Sequence, residues 1–132
     1  MKLPCVRDYM DTIVQTLKAD EEIMHAVNFL LDNRVTGAPI VNDANEVVGI
    51  LSEKDCLKLL ALGSSDMEMP HGTVADFMTT NVVSIPPHMN IYFAAGMFLN
   101  DHVRRFPVVD KGKLVGAITR FDILRAIRAN LS

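Results

Sequence analysis

The sequence predicts a mixed α/β fold of the α+β kind. One β-α-β-β-α unit occurs twice, and the two copies are expected to pack face to face through their sheets with pseudo-two-fold symmetry. Three observations predict it. First, the chain repeats itself: "VRDYMDTIV" (6–14) matches "VADFMTTNV" (74–82) at a shift of 68 residues. The same shift carries "IMHAVNFLLDNRVTGAPIV" (23–41) onto "IYFAAGMFLNDHVRRFPVV" (91–109). It becomes 67 at Gly49 and Gly116, because "NDANE" (42–46) is one residue longer than "DKGK" (110–113). Self-similarity at a fixed period marks a duplicated architecture. Second, the apolar pattern within each copy switches between strand and helix periods in the same order. Third, a half of about 60 residues buries too little surface to stand alone, so the copies should share one core.

Each element has its own local reason. A short extended run ("VQTL" 14–17, "VVSI" 82–85) opens each unit. An amphipathic helix follows, with Ile23, Val27, Leu30 and Leu31 on one face in the first copy, and Ile91, Ala94, Ala95, Phe98 and Leu99 in the second. Asn90 is the expected N-cap of the second helix and Asp20 of the first. Next come two β-rich runs joined by a polar turn, "PIV" then "VVGIL" and "PVV" then "LVGAI", the pattern of a hairpin. Pro39 and Pro107 are placed at the strand entrance, where a missing N–H is tolerated. A closing helix is predicted over 53–62 and again over 120–130, with Gly63 as the stop of the first. The copies thus divide as 1–62 and 74–132, joined by a turn-rich linker, 63–73. Met67 and Met69 are expected to pack that linker down.

Composition narrows the function. Hydrophobic residues at 49% with 22% charged describe a globular chain, and a net charge of −3 provides no bulk attraction to nucleic acid or anionic lipid. No apolar stretch approaches the roughly 18–20 residues of a membrane span. "MKLPCVRDYMD" has no apolar run behind Lys2, so no secretory signal is expected and the cytoplasm is the predicted compartment. Cys5 and Cys56 are isolated and read as reduced thiols. His25, His71, His88 and His102 have no ligand spacing, so no metal is expected. No nucleophile–base pattern or phosphate loop occurs, and no catalytic residue is predicted.

The chemistry concentrates in one repeated turn. "GILSEKD" (49–55) and "GAITRFD" (116–122) each place a hydroxyl and an acid three residues apart, where a strand feeds a helix. Ser52 with Asp55, and Thr119 with Asp122, fit a helix cap: the hydroxyl takes an orphan N–H and the acid favours the positive end of the helix dipole. The same geometry also suits a ligand. Outward N–H groups can meet a phosphate or sugar, and a carboxylate can accept two hydrogen bonds from a cis-diol such as a ribose. Spacing alone does not choose between cap and ligand group.

With "RVTGAPIVN" and "HVRRFPVVD" before the second strand of each copy, the duplicated unit resembles a tandem pair of cystathionine β-synthase (CBS) domains, a Bateman module, over residues 6–130. The resemblance implies regulatory binding of adenosine derivatives (AMP, ADP, ATP or S-adenosylmethionine) in clefts between the repeats, with no catalytic cofactor. It implies that Asp55 and Asp122 hold ribose hydroxyls and that Ser52 and Thr119 lie near ribose or phosphate. By the same implication Thr12, Ile13, Val14, Val35, Thr36 and Gly37 complete a first site, to which this sequence adds Lys54. Thr80, Asn81, Val82, Val103, Arg104 and Arg105 complete a second, to which it adds Arg120.

The second set is the favoured one. Arg104, Arg105 and Arg120, with His102 nearby, suit a di- or triphosphate, whereas the first has only Lys54 and Arg34, opposed by Glu53. The expected activity is ligand sensing relayed to a separate effector protein; the alternative is a constitutive interaction scaffold. A homodimer is expected through Ile23, Val27, Leu30, Ile91, Ala94 and Phe98, together with Cys56, Leu57, Leu60, Ile123, Leu124 and Ile127.

Overall fold

The computed structural model describes residues 3–63 and 71–131; the linker methionines Met67 and Met69 lie outside the described residues. The chain divides into two compact units, Gln15–Val82, and Met1–Val14 with Val83–Ser132. The first contains Asp55 and the second Asp122, and they are named here by those acids.

In the Asp55 unit the order is α1 (Ile23–Asn33), β1 (Gly37–Val41), β2 (Val47–Ser52), α2 (Glu53–Cys56), α3 (Lys58–Gly63) and α4 (Val74–Phe77). In the Asp122 unit a 3₁₀ turn (Val6–Asp8) precedes α5 (Ile91–Asp101), β3 (Arg105–Asp110), β4 (Lys113–Thr119) and α6 (Arg120–Leu131). Both hairpins are antiparallel and carry a register shift at the same place, Ile40/Val41 and Val108/Val109.

The expected opening strands are single parallel bridges, Leu17 to Ile40 and Ile85 to Val108. Pro39 and Pro107 lie inside β1 and β3 rather than at their entrance, and their carbonyls accept from Leu17 N (3.1 Å) and Ile85 N (3.0 Å). The N–H that each proline lacks would face that same edge, so the parallel ladder stops at one bridge.

Asn90 caps α5 as expected, accepting from Phe93 N at 2.8 Å. α1 instead starts after Glu22, not Asp20. The segment before it is pinned elsewhere: Val74 N donates to Glu21 O (2.8 Å), Ala75 N to Ala19 O (2.9 Å) and Ile23 N to Gly72 O (2.9 Å). α1 and α5 each end in a left-handed residue, Arg34 and His102, both at φ 53°. The closing helix of the first copy is interrupted at Leu57, while α6 is continuous.

Where the repeat predicts one shared core, the buried side chains form two clusters, one in each unit. Leu17, Ile23, Ala26, Leu30, Ile40, Leu51 and Val74 are among those in the Asp55 unit; Val6, Ile85, Ile91, Phe98, Phe106, Val108 and Ile118 are in the other. The compact units cut across the sequence copies. Residues 3–14, from the first copy, complete the Asp122 unit through Val6, and residues 74–82, from the second, complete the Asp55 unit through Val74. Leu31 and Leu99, expected on the buried helix faces, are 70% and 80% exposed.

Candidate functional site

Each strand-to-helix turn is built the same way. Gly49 and Gly116 lie in β2 and β4, where a neighbouring backbone runs too close for a side chain. A Cβ on Gly116 would stand 2.7 Å from Asp11 O, and one on Gly49 2.7 Å from Met78 Sδ and 3.1 Å from Thr79 O. This close approach gives the glycine of each motif its physical reason. The segments so admitted pair by two hydrogen bonds each, Asp11 with Ala117 (both 2.9 Å) and Thr79 with Ile50 (2.9 and 2.8 Å).

The strands then end in their caps. Ser52 N and Ser52 Oγ donate to Asp55 Oδ2 (2.9 and 3.0 Å), while Asp55 N donates to Ser52 Oγ (3.2 Å). Asp55 Oδ1 accepts from Thr79 Oγ1 (3.2 Å) and faces Lys58 Nζ at 3.5 Å. Asp55 is only 6% exposed, and burial of a charge demands such partners. In the other unit Thr119 N donates to Asp122 Oδ2 (2.9 Å) and Asp122 N to Thr119 Oγ1 (3.2 Å). Asp122 Oδ1 accepts from Arg125 Nη1 at 2.9 Å. That guanidinium also donates to Tyr9 O (3.4 Å) and lies 5.9 Å from the Tyr9 ring centroid.

The units group the expected site residues differently from the sequence copies. Thr80, Asn81 and Val82 follow Thr79 in the Asp55 unit; Thr12, Ile13 and Val14 end the segment that lies in the Asp122 unit. The physical cause is the crossing of residues 3–14 and 74–82 described above.

The other residues sit as their elements dictate. Arg105 pairs with Thr119 across the hairpin, as Gly37 does with Ser52. Arg120 Nε donates to Val103 O (3.2 Å), which ties the start of α6 to the loop carrying Arg104. Arg105 Nε is buried and has no hydrogen-bond partner, a donor left open. Val35 N donates to Leu30 O (3.1 Å) and Glu53 N to Thr36 O (2.8 Å), so this loop serves the helix ends around it. Lys54 and Arg34 are exposed. Burial, and secondarily the Asp55 charge, push the Cys56 thiol up from its usual range, so it is protonated at neutral pH.

Sequence reasoning missed Thr79, Lys58, Arg125 and Tyr9. Two of these carried a signal: "DCLK" and "DILR" place a cation three residues after the acid in both copies, on the same helix face.

The sequence model of the CBS domain matches residues 6–62 and again 74–129. The chain belongs to the CBS domain family. A CBS-domain protein of Arabidopsis thaliana, CBSX2, solved in complex with AMP, superposes with a TM-score of 0.83 at 31% identity, over 96% of this chain and 97% of that one. The CBS domain pair of protein MJ0100, in complex with 5′-methylthioadenosine and S-adenosyl-L-methionine, superposes at 0.81 with 26% identity, over 97% and 98% of the two chains. MJ1225 of Methanocaldococcus jannaschii is 33% identical over 122 residues; this chain spans 42% of the length of that curated relative. The tandem CBS pair and its α+β repeats, expected from the sequence, are therefore both found. Among the described residues no helix is long and apolar enough to cross a membrane.

Proposed function

We propose that this CBS pair is a regulatory module that binds an adenosine-containing ligand (AMP, ADP, ATP or S-adenosylmethionine) and passes its ligand state to a separate effector protein. The observation that carries the reading is the Asp122 turn. A capped, half-buried carboxylate stands at the start of α6, with Arg105 across the hairpin from its capping threonine and Arg120 tied to the loop that precedes Arg105. The carboxylate suits a ribose diol, and the arginines suit phosphate. The complexes of CBSX2 with AMP and of MJ0100 with 5′-methylthioadenosine and S-adenosyl-L-methionine support the ligand class. The reading is a binding module rather than a catalyst, in the cytoplasm, without a metal or catalytic cofactor. Ligand sensing requires that the ligand favour one conformation or assembly over another.

A thermal-shift panel of AMP, ADP, ATP, NADH and S-adenosylmethionine tests it. A ligand at about 100 times its dissociation constant adds roughly 2.7 kcal/mol, which is several degrees in melting temperature. No shift with any of them at millimolar concentration overturns the reading and leaves the constitutive scaffold. That second reading has one observation in its favour, the Asp55 carboxylate committed to its own cap.

We further propose a homodimer, with corrected surfaces. Ile23, Leu30, Ile91, Ala94, Phe98 and Ile123 belong to the cores, whereas Leu57 and Leu60 in the Asp55 unit, and Phe93, Phe121, Leu124 and Ile127 in the Asp122 unit, remain exposed. Exposed apolar side chains in such number mark a contact surface. Sedimentation velocity is expected to give a dimer, and Leu60→Glu with Leu124→Glu a monomer. A wild-type monomer at tens of micromolar contradicts it.

A further inference from the structure

We propose that the two copies of the motif acid have divided their roles: Asp122 is the diol acceptor, and Asp55 is a structural knot closed to ligand. The inference rests on the adenosine-binding reading and adds which acid performs it. A carboxylate offers about four acceptor positions, two on each oxygen. On Asp55 three are filled by hydrogen bonds from within the chain, and an ion pair lies against the fourth. Oδ2 accepts from Ser52 N and Ser52 Oγ, and Oδ1 accepts from Thr79 Oγ1 and faces Lys58 Nζ. On Asp122 each oxygen has one described donor, Thr119 N for Oδ2 and Arg125 Nη1 for Oδ1. One position remains on each oxygen. A cis-diol needs that arrangement, since its two hydroxyls donate in parallel.

One difference between the repeats accounts for much of this. Thr79 aligns with Asp11. The threonine carries the hydroxyl that fills Asp55 Oδ1; the aspartate has no such donor, and its own Oδ1 accepts from Ile13 N at 2.9 Å. Arg125 is a positioning residue: held by the Tyr9 carbonyl and ring, it fixes the carboxylate rotamer through Oδ1 and leaves the second lone pair free.

Isothermal titration with AMP and with 2′,3′-dideoxy-AMP tests the division in wild type, Asp122→Asn and Asp55→Asn. The wild type is expected to take up one AMP per chain and to prefer it over the dideoxy compound by at least tenfold. Asp122→Asn should weaken AMP ten- to a hundredfold and erase that preference. Asp55→Asn should lower the melting temperature but leave the affinity within about twofold. If Asp55→Asn does not fold, the wild-type stoichiometry decides: one AMP per chain supports the division and two equal sites overturn it. Loss of AMP binding in Asp55→Asn with none in Asp122→Asn overturns the division alone. A wild type that binds neither AMP nor any other adenosine compound of the thermal-shift panel overturns the adenosine reading and the division together, whereas unchanged AMP affinity in Asp122→Asn overturns the division alone.

Discussion

Gly116→Ala is expected to lower stability by about 2–4 kcal/mol. The added methyl would stand 2.7 Å from the Asp11 carbonyl and 2.8 Å from Met10 Sδ, so the backbone of the incoming segment must move. Overpacking of this kind costs about 1–3 kcal/mol. The two Asp11–Ala117 hydrogen bonds, each contributing about 0.5–1.5 kcal/mol, are then lost or stretched. Gly49→Ala should cost less, because the atom it meets first is the flexible end of Met78. Gly96 provides a control of opposite sign. It lies within α5, and an added methyl there would meet nothing inside 4 Å, so Gly96→Ala should stabilise by about 0.5–1 kcal/mol. Urea midpoints of the three variants check the ranking. Equal effects at Gly116 and Gly96 would contradict it.

Deleting residues 1–14 is expected to unravel the C-terminal hairpin and spare the N-terminal one. The segment delivers Val6, fully buried in the Asp122 unit, which is about 1.5–3 kcal/mol of side-chain burial. It also carries the bonds Val6 N to Met89 O (2.8 Å), Arg7 N to Pro87 O (2.9 Å) and Ile91 N to Pro4 O (3.0 Å), besides the Asp11–Ala117 pair. Together these are on the order of 5 kcal/mol, comparable to the roughly 5–15 kcal/mol that holds a whole domain folded. Hydrogen exchange should lose protection over 105–110 and 113–119 and retain it over 37–41 and 47–52. Loss confined to 37–52 would mean that the sequence copies, not the compact units, are the folding units.

The elements were legible where their signals are local. The hairpins, the Asn90 cap and the Ser/Thr-x-x-Asp turns are each specified within a few residues, and the structure has them. The start of α1 was not legible, because pairing of 19–22 with 72–75 decides it, and no window around Asp20 contains that information. The destination of 6–14 was equally hidden. "VRDYM" and "VADFM" present nearly the same apolar pattern, so either could serve either hairpin. With that exchange unread, Thr79 could not be matched to Asp55, nor Tyr9 to Arg125. The lysine and arginine three residues after the acids were in plain view. Their role depends on where the carboxylate oxygens point, and sequence spacing does not give that.

Whether an adenosine ligand is held at the Asp122 turn is tested most directly by amide NMR of the isotope-labelled protein titrated with AMP. Saturable shifts are expected at Thr119, Arg120 and Asp122 and at Arg104 and Arg105, with Ser52 to Asp55 unmoved. Shifts confined to Ser52–Asp55, or a spectrum unchanged at millimolar AMP, would contradict a ligand site at that turn.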